Sequence, residues 1–224
     1  MRVLRLAIVA ASLVVSTAFA SPTDPKQGVE YTVLAQPQPS ATVGKKIEVI
    51  EFFMYHCPHC QALEPTLEQW VKKQDGNIIF KRVHMPYQGA SDPEAHLFLT
   101  LSAMGKNEEL QSKAMAGVKE IVMRDRNVSD KAILDWAAKQ PSLDKAKFTD
   151  TWNSFGVMTK LRRLNAIVSQ DYKVDSVPTI IVDGKYVTSP AQVGGSVKAS
   201  SEQELFQATL QVVDALIAKA QKSK

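Results

Sequence analysis

Apolar and polar residues alternate differently in different parts of this chain. KIEVIEFFMY (46–55) is an almost unbroken β-branched and aromatic run, which predicts a strand covered on both faces. Past residue 57 the apolar positions move to helical spacing at Leu63, Leu67, Trp70 and Val71. The helix is expected to begin at CPHC, with Cys57 at the N-cap and Pro58 in the first turn, where a missing N–H costs nothing. Pro65 lies inside it and predicts a kink. Asp75-Gly76 turns the chain into a second strand, NIIFKRV (77–83). Such a strand–helix–strand unit should be parallel with a right-handed crossover. Tyr31 to Leu34 fits a short edge strand, closed by Pro37 and Pro39.

From about 88 to 165 the pattern is helical. Asp92-Pro93, Asn107, Ser129 and Ser142 are the expected helix starts, with Gly105, Pro141 and Gly156 as interruptions. Four or five helices are expected there, with Trp136, Phe148, Trp152 and Phe155 in their core. Strand character returns in VPTIIVDGKYVT (177–188), where Asp183-Gly184 signals a hairpin. A last amphipathic helix follows Ser201, with Glu204 completing a capping box. The order predicts an α/β fold: one mixed sheet built from residues 21–87 and 166–224, interrupted by a helical insertion at 88–165.

The N-terminus adds the compartment. Arg2 and Arg5 precede an apolar run from Leu6 to about Val15, and Ala18-Phe19-Ala20 fits a small-residue cleavage site. A secretory signal over residues 1–20, cut after about Ala20, is the expected reading, because the run is short for a membrane span. No cysteine sits at the cut to carry a lipid, and no stable membrane anchor is expected. The net charge of +4 includes no run of five like charges, so nothing points to nucleic acid.

Export changes the meaning of the two cysteines. Disulfides persist outside the cytosol, but Cys57 and Cys60 enclose only two residues, so closing that loop stabilises little. A reactive role is the better explanation. At a helix N-terminus, free N–H groups and the dipole favour a thiolate at Cys57, the dipole by about 1 kcal/mol. The backbone N–H groups of His59 and Cys60, and the His59 imidazole, are further candidate stabilisers. Cys60, one turn inside, should stay a thiol. Favouring the Cys57 thiolate favours the reduced protein, which makes its disulfide an oxidant. A zinc site lacks its second CxxC, and His84 and His96 have no ligand-pair spacing. Haem attachment needs CxxCH, and Gln61 follows Cys60. No metal and no cofactor beyond the cysteine pair are expected.

EVIEFFMYHCPHC, a helical block and SVPTIIVDGKY together resemble the DsbA family of periplasmic thiol oxidases, over nearly the whole mature chain. The resemblance implies a thioredoxin fold with an inserted all-helical domain. It implies that Cys57 is the nucleophile and Cys60 the resolving cysteine, with Pro58 and His59 favouring the thiolate. It implies a cis-proline at Pro178, with Val177 lining a peptide-binding edge. Glu51 would be a buried carboxylate that tunes proton transfer at Cys60, and Lys81 is the expected partner. Glu64 matches an acidic position of the family but reads more simply as a solvated helix residue. His56 departs from the aromatic or small residue usual before the first cysteine, and reads as a residue of the site's rim. The loop HMPYQGASDP (84–93) has no assigned role.

The leading function is a periplasmic protein-dithiol oxidase acting on reduced, unfolded exported polypeptides. The resemblance implies reoxidation by a DsbB-like, quinone-linked membrane protein. A disulfide reductase or isomerase is the enzymatic alternative, although no dimerisation segment is evident and a monomer is expected. A holdase for unfolded chains or a metal-storage module is the non-catalytic one.

Overall fold

The computed structural model describes residues 21–223, so the expected signal and its cut lie outside the described residues. Five strands make one mixed sheet: β1 Thr32–Val33, β2 Ile47–Phe53, β3 Ile78–His84, β4 Thr179–Val182 and β5 Tyr186–Thr188. Their spatial order is β1-β5-β4-β2-β3. All seven residues of β2 are buried, as its continuous apolar run requires. It pairs in parallel with β3, from Ile47 opposite Ile78 to Phe53 opposite His84, and antiparallel with β4. Between β4 and β5, Asp183 and Gly184 both have positive φ, 53° and 62°, which a primed hairpin turn needs. A Cβ on Gly184 would also stand 2.3 Å from the Gln38 carbonyl oxygen.

The helices are α1 Pro58–Lys73, α2 Pro93–Ala103, α3 Asn107–Asp125, α4 Asp130–Ala137, α5 Lys145–Trp152, α6 Phe155–Ala166, α7 Pro190–Val193 and α8 Glu202–Lys222. Helices α2 to α6 fall between β3 and β4 in sequence. They pack against one face of the sheet, joining Ile50 and Phe52 to Leu97, Leu110, Ile133 and Trp152. The other face sets Ile47 and Val49 against Leu63 and Leu67 of α1 and Val213 and Leu216 of α8. Among the described residues no helix is long and apolar enough to cross a membrane.

Helix ends follow local chemistry. The side chains of Asp92, Ser129 and Ser201 each accept the N–H three residues on. At the last of these, Glu204 Oε2 accepts the Ser200 N–H at 2.7 Å, one residue beyond the N-cap N–H of the reciprocal bond. The expected start at Ser142 is displaced: Asp144 caps α5 through the Lys147 N–H. Gly156 does not interrupt a helix but lies in the first turn of α6. Phe155 is 82% exposed rather than in the core, because the buried stripe of α6 runs through Val157, Leu161 and Leu164 and Phe155 is off that stripe. Phe148 and Trp152 are buried. The Trp136 indole lies over Gly117, where a Cβ would come within 2.0 Å of Nε1.

Candidate active site

The strand–helix junction after β2 places Cys57 at the N-cap of α1. Its Sγ accepts the Cys60 N–H at 3.4 Å and, as a thiol, faces the Val177 carbonyl oxygen at 3.7 Å. Val177–Pro178 is a cis peptide, and it leads directly into β4, beside β2. The sheet therefore brings residues 57 and 177 together across 120 positions of sequence.

The two sulfurs sit in different environments. The Cys57 thiol is pushed down to about 6. The largest cause is the Cys60 thiol donating to it. Burial opposes this, and then come the N–H groups of Cys60 and His59 and, least, the His59 charge. Cys60 is fully buried, and burial pushes its thiol far up, reinforced by its bond to Cys57 and by the Glu51 charge. The expected asymmetry is present, but the His59 imidazole is not its main source. That ring is 73% exposed and its Nδ1 pairs with Glu202 Oε1 of α8 at 2.7 Å. Pro58 occupies the first helical position and has no N–H to offer the thiolate.

Beneath Cys60 the sequence expectation needs correcting. Glu51 is fully buried but does not pair with Lys81; it pairs with Arg82, whose Nε lies 3.1 Å from Glu51 Oε2. Register decides this. Arg82 stands opposite Glu51, whereas Lys81 stands opposite Ile50 and shares the other face, where it pairs with Glu48. Glu64 is a second correction, because it is buried rather than solvated. It accepts from Arg82 Nη2 at 2.8 Å, while Nη1 donates to both oxygens of Glu108 at 2.8 Å. The signal was in the sequence: Glu64 lies four residues after Cys60 and three before Leu67, inside the apolar stripe of α1. Burial, offset in part by Arg82, pushes Glu51 up to about 8 and Glu64 up to about 7. Glu51 Oε1 and Glu64 Oε2 are buried without a hydrogen-bond partner.

Two cavities adjoin CPHC. One, of about 190 Å³, is lined by His59, Val177, Pro178, Pro190, Leu205 and Phe206. The other, of about 450 Å³, is lined by His56, Pro58, Gln61, Lys119, Val122 and Met123. Gln61 closes the floor of the loop, its Nε2 donating to the carbonyls of Tyr55 at 2.6 Å and of Met115 in α3 at 3.3 Å.

Sequence reasoning missed one group altogether. His56 is not a simple rim residue: its Nδ1 lies 2.7 Å from Glu94 Oε1, and its backbone N–H donates to Glu94 Oε2 at 3.1 Å. Glu94 belongs to the first turn of α2, and only the fold brings it to residue 56.

The comparisons with known proteins agree with this geometry. The family described as Thioredoxin matches residues 42–199. The chain is 36% identical to the thiol:disulfide interchange protein DsbA of Burkholderia cepacia, over 100% of this chain and 99% of that one. It is 34% identical to the DsbA of Bordetella parapertussis, over 96% of each. The crystal structure of Pseudomonas aeruginosa DsbA superposes with a TM-score of 0.73 at 31% identity, covering 89% of this chain and 96% of that one. An α/β sheet of thioredoxin type, a helical block inserted between β3 and β4, and full-length identity to named relatives meet in one conclusion: the chain belongs to the DsbA family of the thioredoxin superfamily and is a thiol–disulfide oxidoreductase.

Proposed function

We propose that the chain is an exported protein-dithiol oxidase of the periplasm, working through a Cys57–Cys60 disulfide. The observation that carries this reading is the unequal ionisation of the two sulfurs, Cys57 down to about 6 and Cys60 driven up. A client thiolate attacks Cys57 Sγ, the Cys57–Cys60 bond breaks, and Cys60 leaves and takes a proton. A second client thiolate then attacks the client sulfur of the mixed disulfide and expels Cys57, which departs readily because it is stable as a thiolate. The client gains a disulfide, and both cysteines end reduced. Glu51, raised to about 8 beside Cys60, is the proton-holding group that serves the resolving cysteine, with Arg82 in the role expected of Lys81.

The client backbone is held along Val177, next to Pro178, by strand-like hydrogen bonds, and its side chains use the apolar cavity that reaches Phe206. Clients are reduced, unfolded exported polypeptides. A DsbB-like, quinone-linked membrane protein restores the disulfide. The cysteine pair itself is the redox carrier.

Equilibration of the mature chain with reduced and oxidised glutathione tests the reading. The expected result is a disulfide that oxidises glutathione readily, with a Cys57 thiolate that persists to about pH 6. An ordinary thiol titration with a strongly reducing equilibrium would overturn it. Unchanged chaperone-like activity in Cys57→Ser would indicate a holdase.

A further inference from the structure

His56 is an ionisable neighbour of Cys57 that the proposed mechanism leaves unused. Its side chain is 30% exposed, while its carboxylate partner Glu94 is only 5% exposed. Both oxygens of Glu94 are committed to residue 56, Oε1 to the ring and Oε2 to the backbone N–H. A bond from each oxygen fixes both the position of the residue and the ring nitrogen that bears a proton. The Tyr87 ring meets the imidazole edge-on, with centroids 5.9 Å apart. Behind Glu94, His84 Nε2 stands 3.6 Å from Oε2 and accepts the Tyr55 N–H at 3.2 Å.

We propose that His56, clamped by Glu94, is a positioning residue that holds positive charge one residue before Cys57 and changes its proton load with the redox state of the cysteine pair. The inference deepens the proposed oxidase and rests on that reading only for the direction of electron flow.

The charged groups around the ring support this. Asp92, which caps α2, and Glu94 favour the imidazolium, as does a Cys57 thiolate; Lys119 of α3 lines the same cavity and opposes it. The Glu94 hydrogen bond is the main cause that raises His56 above its ordinary value, against burial. The attraction between His56 and Cys57 is reciprocal: whatever the thiolate does to the imidazole, the imidazolium does to the thiol. Oxidation of a client dithiol moves two electrons from its sulfurs to the Cys57–Cys60 disulfide and frees two protons. One is taken by Cys60, and Cys57 remains a thiolate. The other goes to solvent or, within the titration range of His56, in part to its neutral fraction. Proton release per disulfide transferred then falls below one in that range.

The test is a histidine NMR titration of the mature chain in its reduced and its oxidised form, with the His56 signal assigned by its loss in His56→Gln. The expected result is a His56 midpoint at higher pH in the reduced form, by about half a pKa unit or more, a threefold change. His56→Gln should raise the Cys57 titration, read by thiolate absorbance, by the same factor. It should shift the glutathione equilibrium threefold toward a weaker oxidant. Glu94→Gln should give that value above the lowered His56 midpoint and the wild-type value below it. Identical His56 midpoints in the two redox states overturn the proposal, and so does an unmoved Cys57 titration in His56→Gln. The midpoints themselves are read on the wild-type chain in both redox states, and the variant serves only to assign the signal. A reducing glutathione equilibrium with the midpoint difference intact would sink the oxidase reading and leave His56 its role.

Discussion

Glu51 and Glu94 are both buried, both ion-paired and both near the cysteine pair, yet they titrate in opposite directions. Glu51 is pushed up to about 8. Glu94 is held down at about 2, because His56 and His84 overcome the burial that would raise it. What differs is the number of donors per carboxylate. Glu94 has two donors from His56 alone. Glu51 has one bond from a guanidinium shared with Glu64 and Glu108, and its Oε1 has no partner. An ion pair alone does not fix an ionisation state; satisfied lone pairs do.

The largest break in that comparison is Arg82→Met. It strands Glu51 and Glu64 in the core, and a loss of about 3–5 kcal/mol is expected in urea unfolding above pH 8, where both carboxyls are ionised. The loss should shrink at low pH, where both carboxyls are neutral.

Glu94→Ala leaves the His56 N–H and ring unpaired and should cost about 1–3 kcal/mol. Since Glu94 is depressed from 4.5 to about 2, its contribution is present above 4.5 and is lost as pH falls toward 2. His56, raised instead, contributes below its ordinary value and loses that as pH rises through the raised one. Wild-type and Glu94→Ala stabilities should therefore converge in acid, which an acid-unfolding series would show.

Glu51→Gln sharpens the contrast with a smaller effect, because Gln resembles the neutral acid that Glu51 tends to be. Under about 1.5 kcal/mol is expected at pH 7. A group raised from 4.5 to about 8 binds more protons folded than unfolded across that window, so stability falls as pH rises through it. Glu51→Gln should flatten that part of the profile.

Lys81→Met is the control. Lys81 is 47% exposed but its partner Glu48 only 2%, so losing the pair should cost about 1–3 kcal/mol. An effect comparable to Arg82→Met would mean that Lys81 serves Glu51 after all.

The backbone frame was readable because its signals are local. The β2 run, the CPHC helix start, the Asp183-Gly184 turn and the Asp92 cap each depend on residues a few positions apart. The pairing across strands was not, because Lys81 and Arg82 differ by one position and a one-residue step reverses the face. Glu64 was readable from the α1 stripe. Its charge drew it to the surface in the sequence reading, because no local signal announces a buried guanidinium. His56 with Glu94 was out of reach: 38 residues separate them, and no periodicity links a loop to a helix in another layer.

The side chain of Gln61 has a mechanical consequence. One amide is tied at once to the strand exit at Tyr55 and to α3 at Met115. Prying α3 from the start of α1 would therefore loosen the chain just ahead of the reactive sulfur. A bulky guest wedged between those two helices would break both bonds at once.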